Sequence, residues 1–243
     1  MVIGRRRKRT EVSVEVPADP APSGDPFADL RTVFEASADP SRADAMAAYM
    51  RNEFEFLGLQ APRRRTLAKP FMVALHGASE EELLAAAERL WTLPQREYAY
   101  VATDLQRAEW RSLTPSSLPR LQQLVLTSSW WDTVDPLAHV IGVLVLNHAE
   151  LRDDMDRWLV QDNRWLVRVA LLHQLGWTAA ADPDWLFDAC RAQGSEQDFF
   201  IRKAIGWALR DLARTFPERV REFIDVHGDE LSPLSVTEAT KHL

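Results

Sequence analysis

Two adjacent tryptophans followed by two carboxylates, in Ser129-Trp130-Trp131-Asp132-Thr133-Val134-Asp135, are the residues of this chain best suited to chemistry. Trp131 and Asp135 are four residues apart, so on a helix they share a face. An aromatic face attracts cations, and a carboxylate beside it adds to the attraction. The pair therefore suits a cationic ligand, or a reaction in which positive charge develops. A core aromatic next to a helix-capping carboxylate has the same sequence. Ser129-x-x-Asp132 has the form of a capping box, which assigns Asp132 to the helix start. Pro136 lacks a backbone donor and disfavours helix in the residue before it. A late helix start is expected, with Asp135 in the first turn, where an anion favours the dipole. Local sequence alone divides Asp135 evenly between cap and site.

The elements that must position these residues are helical. From residue 26 onward, apolar residues recur at three- and four-residue spacing, as in Leu83-Leu84-Ala87-Leu90-Trp91 and Leu118-Leu121-Leu124-Val125. Prolines mark helix starts near Pro94, Pro115, Pro183, Pro217 and Pro233. Glycine is scarce, at nine residues, and alternating β-branched runs are nearly absent. An all-α chain of about a dozen short helices is expected. Residues 1–25 differ: Arg5-Arg6-Arg7-Lys8-Arg9 is a charge run, and Val16 to Gly24 is rich in Pro and Ala. They read as a disordered basic tail ahead of one domain over 26–243.

Tyr98, Trp131, Trp165 and Phe200 lie 33, 34 and 35 residues apart, each near the start of an apolar helix. A helix-pair period of this length is the signature of an α-solenoid, in which each pair buries a face only by stacking on its neighbours. In this register most slots three and four residues after the aromatic are apolar, but Asp135, Arg168 and Lys203 are charged. Charges at a packed face are costly unless paired or used, and in a solenoid they would line one concave groove.

Composition narrows the choices. The chain has 243 residues, 46% hydrophobic, with no apolar run long enough to span a membrane and no secretory signal. A cytoplasmic setting fits the single cysteine, Cys190, which reads as a small core residue. The six histidines form no metal-ligand spacing, and no glycine-rich phosphate loop or nucleophile elbow is present. No cofactor or metal is expected. A net charge of −7 argues against nucleic acid, but distribution matters more than the total. Basic residues recur near helix starts: Arg63, Arg64 and Lys69, then Arg164, Arg202, Lys203 and Arg210. Backbone-phosphate contacts along a groove would need that arrangement.

These stretches together resemble the AlkD-type DNA alkylation repair proteins, DNA glycosylases built from HEAT-like helical repeats. The resemblance covers about residues 40 to 242. It rests on Tyr49 to Leu59 with Pro62-Arg63-Arg64, Leu93 to Tyr98, Ser129 to Asp135, Asp162 to Arg168, Phe199 to Arg210, and Pro233 to His242. It implies that Asp135 is catalytic and that Trp131, Trp207, Tyr49 and Arg168 contact the substrate. Arg168 would hold a phosphate or position Asp135, while Trp130 would pack and Asp132 would cap.

The implied reaction is release of cationic N3- or N7-alkylated purines from duplex DNA by hydrolysis of the N-glycosidic bond. A cationic base leaves without a general acid, which matches the lack of a second catalytic carboxylate. The implied partner is duplex DNA containing alkylated bases, bound by a monomer. Two other readings compete: a helical-repeat scaffold that binds protein, and a binder of DNA structure without catalysis.

Overall fold

Helix starts in this chain are written by capping side chains and by proline in the first turn. Asp25, Asp39, Asn163, Asp182, Asp198 and Ser232 each accept from backbone amides one to three residues into a helix. Ser79 and Glu82 form a complete capping box. The structure, a computed structural model, describes residues 23–243; the expected basic run Arg5 to Arg9 lies outside them.

Among the described residues there are thirteen α-helices and no named strand. They are α1 (Pro26–Ala36), α2 (Pro40–Tyr49), α3 (Ala61–Ala74), α4 (Glu80–Trp91), α5 (Arg96–Ala108), α6 (Leu118–Leu126) and α7 (Trp131–Asn147). Then follow α8 (Arg152–Leu159), α9 (Arg164–Leu172), α10 (Pro183–Ala192), α11 (Phe199–Ala213), α12 (Pro217–His227) and α13 (Pro233–Ala239). Pro94 stands two residues ahead of its helix, and Pro115 opens a short 3-10 turn leading into α6. No helix among the described residues is long and apolar enough to cross a membrane.

The odd-numbered helices from α3 to α13 stack on one another in chain order, and α4 packs on α6 and α10 on α12 in a second layer. This is the expected solenoid of HEAT-like helical repeats with an all-α core. The buried aromatics Tyr98, Trp130 and Trp165 recur down the inner layer, and Trp130, Trp165 and Phe200 touch with ring centroids 5.0–5.8 Å apart. Cys190 is fully buried in the core, where burial pushes its thiol pKa up and leaves it unreactive. Gly142 lets α7 touch the next repeat: a Cβ there would lie 1.9 Å from the His173 carbonyl oxygen.

Glu97, fully buried on α5, accepts the amides of Leu57, Gly58 and Leu59 at 2.9–3.0 Å. That pins the segment after α2 against the inner layer. Arg51 and Asn52, both in the left-handed region at φ 58° and 59°, turn the chain sharply just past Tyr49.

Candidate active site

The site is built on α7. Its helix begins at Trp131, with Trp130 as an extended N-cap that makes no side-chain cap bond. This corrects two expectations. Pro136 does not delay the helix: it sits inside α7 and removes one ladder donor, so Asp135 falls in the second turn rather than the first. Asp132 is not a cap. Its carboxylate is 4% exposed and accepts from Arg96 at 2.7 and 3.0 Å and from the Tyr100 hydroxyl at 2.6 Å. Ser129, the other half of the expected box, donates backwards to the Val125 carbonyl at 2.6 Å. Trp130 packs in the aromatic core, as its reading required.

Asp135 faces Arg168 across the α7–α9 contact. Arg168 donates from Nε and Nη2 to the two carboxylate oxygens at 2.6 and 2.7 Å, and from Nη1 to the Phe200 carbonyl at 2.5 Å. The bidentate fork fixes the plane of the carboxylate as well as its position. Arg168 is 1% exposed, whereas the Asp135 side chain is 22% exposed. All three guanidinium nitrogens thus have partners inside the protein, while the carboxylate reaches the surface. Burial raises the pKa of Asp135 above its ordinary value of 3.8, and the Arg168 charge opposes that rise.

Aromatic faces flank the pair. Trp207, on α11, lies over the Arg168 guanidinium at 5.2 Å. Trp131, one turn before Asp135, meets Tyr49 edge-to-face at 6.1 Å. Tyr49 is 73% exposed at the end of α2. It also walls an open cleft of about 300 Å³ with Met46, Met50, Phe56 and Tyr100; none of Trp131, Asp135, Arg168 or Trp207 lines it. Tyr49 at the end of α2 thus meets Trp131 on α7, Asp135 on the same helix meets Arg168 on α9, and Arg168 meets Trp207 on α11.

The basic residues divide into two groups. Arg64 turns inward: its side chain is 9% exposed, it donates to Asp104 at 3.0 Å, and it stacks on Tyr100. Arg63 and Lys69 stay exposed on α3. Arg164 stacks on Trp165 and pairs with Asp198 while 46% exposed. Arg202 binds the loop carbonyl of Glu196, and Lys203 and Arg210 share Glu238.

The sequence reading missed Arg96, Tyr100, Asp104, Glu97 and Glu238. The signal that would have found some of them is the repeat period. Arg96 and Asp132, Asp135 and Arg168, and Lys203 and Glu238 are ion pairs 36, 33 and 35 residues apart. Each couples one inner helix to the next.

A family model described as DNA alkylation repair enzyme matches residues 30–243. Among solved structures, a predicted DNA alkylation repair enzyme from Enterococcus faecalis is 32% identical, with a TM-score of 0.79 over 85% of this chain and 96% of that one. AlkD2 from Streptococcus mutans is 17% identical, with a TM-score of 0.57 over 72% of this chain and 87% of that one. The smu.31 protein from Streptococcus mutans UA159 is 13% identical, with a TM-score of 0.59 over 90% and 100%. The last two are alike in fold. No curated protein matches the chain.

Proposed function

The chain belongs to the DNA alkylation repair enzyme family, and on that premise we propose that it is a DNA glycosylase for cationic N3- or N7-alkylated purines in duplex DNA. The observation that carries the reading is Asp135: a carboxylate locked by a bidentate arginine, yet still open to the surface, with Trp207 over that arginine and Trp131 one turn earlier on the same helix. A carboxylate kept only for structure gains nothing from that remaining exposure.

In the proposed reaction the C1′–N bond of the damaged nucleotide breaks, and its electron pair neutralises the cationic base. Positive charge passes to the sugar. Asp135, already oriented by Arg168, stabilises that charge without having to reorganise. A water oxygen bonds to C1′, and its proton leaves to Asp135 or to solvent. Trp131, Trp207 and Tyr49 contact the cationic nucleotide through their faces. Arg168 acts as a positioning residue, since its donors are occupied by Asp135 and Phe200. Arg63, Lys69, Arg164, Arg202, Lys203 and Arg210 contact backbone phosphates; inward-facing Arg64 supports that surface from beneath.

The deciding experiment is incubation of the protein with methylated duplex, scoring released purine and duplex retention separately. Release of free alkylpurine supports the reading. Retention without release identifies a non-catalytic DNA binder, and neither at low salt identifies a protein-binding scaffold.

A further inference from the structure

At the C-terminal end of the inner layer a single buried carboxylate holds three cations. Glu238 Oε1 accepts from Lys203 Nζ and from Lys241 Nζ, each at 2.6 Å, and Oε2 accepts from Arg210 Nη1 at 3.2 Å. The Glu238 side chain is 5% exposed, whereas Lys203, Arg210 and Lys241 are 23%, 26% and 46% exposed. The anion lies beneath and the cations lie above it.

That stoichiometry is poor for stability alone. The first cation neutralises the carboxylate, and each further one adds repulsion against its neighbours. The cluster keeps two surplus positive charges on a protein whose net charge is −7. The fold makes room for it. Gly206 on α11 brings α13 so close that a Cβ there would lie 2.4 Å from Glu238 Cβ. Lys203, Trp207 and Arg210 are spaced four and three residues apart, so they share one face of α11. The surplus charge therefore flanks Trp207, the ring that covers Arg168.

We propose that Lys203, Arg210 and Lys241, gathered by Glu238, form a clamp for a backbone phosphodiester of duplex DNA beside Trp207. Glu238 is its positioning residue: it never meets the phosphate, but it holds three mutually repelling cations within reach of one. The inference adds Lys241 to the DNA-contacting surface, with Glu238 as the support beneath it, and rests on the reading of duplex DNA as partner.

The test uses the full chain and undamaged duplex, with affinity measured by fluorescence anisotropy across a salt series. Lys241→Gln, which leaves two of the three cations on the phosphate, is expected to lower the slope of log affinity against log salt by a fraction of the ~0.9 that one whole phosphate contact contributes. Glu238→Gln separates the clamp from simple charge counting. Removing an anion from a DNA-binding surface should tighten binding; loss of the clamp predicts that it weakens binding several-fold and lowers the slope. Glu238→Asp, which keeps the anion, is expected to recover part of the loss. Unchanged slopes in both Lys241→Gln and Glu238→Gln, with wild type binding duplex, would overturn the clamp alone. Absence of duplex binding by the wild type would overturn the DNA reading and the clamp with it. If Glu238→Gln does not fold, as judged by circular dichroism, the exposed Lys241→Gln decides the matter. A parallel titration of tryptophan fluorescence with inorganic phosphate is expected to show no saturable response. A saturable one that Lys241→Gln abolishes would overturn the duplex assignment in favour of free phosphate.

Discussion

Asp135 is 22% exposed although both its oxygens accept from a guanidinium that is 1% exposed. In the proposed reaction it must be charged, and burial raises its pKa above 3.8. The protonated form cannot stabilise a cationic sugar. Base release, corrected for spontaneous depurination, should therefore fall as pH falls, with a midpoint above the ordinary aspartate value. An inflection at or below that value would contradict the burial argument. Arg168→Ala removes the partner of a partly buried carboxylate, which should cost less than the ~3–5 kcal/mol of a fully buried pair in thermal or denaturant unfolding. It should slow base release while leaving the salt dependence of duplex binding unchanged, because all three guanidinium nitrogens are already engaged within the protein. A flatter salt slope would return Arg168 to a phosphate role. Trp131, Asp135 and Arg168 stood out in the sequence because each carries chemistry at a fixed place in the repeat. Asp132 was misread because Ser129-x-x-Asp132 has cap spacing, and only the fold reveals Arg96 thirty-six residues before it.

At the scale of elements, the inner helices are joined by ion pairs one repeat apart and by two glycines where helices nearly touch. Gly142→Ala would drive a methyl into the backbone of His173, a contact of 1.9 Å that backbone cannot relieve cheaply. It should destabilise the fold by at least about 1–3 kcal/mol, the usual cost of overpacking; an unaltered unfolding midpoint would show that α7 and α9 can separate freely. Glu238 gives the α11–α13 contact an acid sensitivity. Its cations lower its pKa from the ordinary 4.5 to about 2. A depressed folded-state pKa contributes stability that is complete above the unfolded value and is lost as pH falls towards the folded one. Acid unfolding should accordingly include a component between pH 4.5 and about 2 that Glu238→Gln removes. Helix starts at Pro183, Pro217 and Pro233 were readable from the sequence because proline and capping residues act locally. The Glu97 loop clamp was not, since three backbone amides leave no trace in side-chain types.

For the whole molecule, the question is how an acidic chain would hold the DNA that its family implies as substrate. Residues 1–22 hold five Lys and Arg and three Asp and Glu, so a total of −7 leaves −9 on the described residues. Many carboxylates elsewhere are spent on neighbouring groups, such as Glu80 on Thr114 and Ser117, or Glu88 on Arg120. Apolar spacing and the recurrence of aromatics revealed the solenoid's class and period, but not this sorting of charge by surface, which depends on which helix layer each residue joins. With Arg63, Lys69, Arg164 and Arg202 on one phosphate each and the Glu238 clamp on a fifth, affinity for duplex should fall with salt at a log–log slope of about −4.5. Single-turnover release of N7-methylguanine from duplex by wild type and by Asp135→Asn, with binding and fold measured on the same preparations, tests the role of Asp135 most directly. The variant should still bind duplex but release base about 10²–10³-fold more slowly. Release by Asp135→Asn at the wild-type rate would contradict that role.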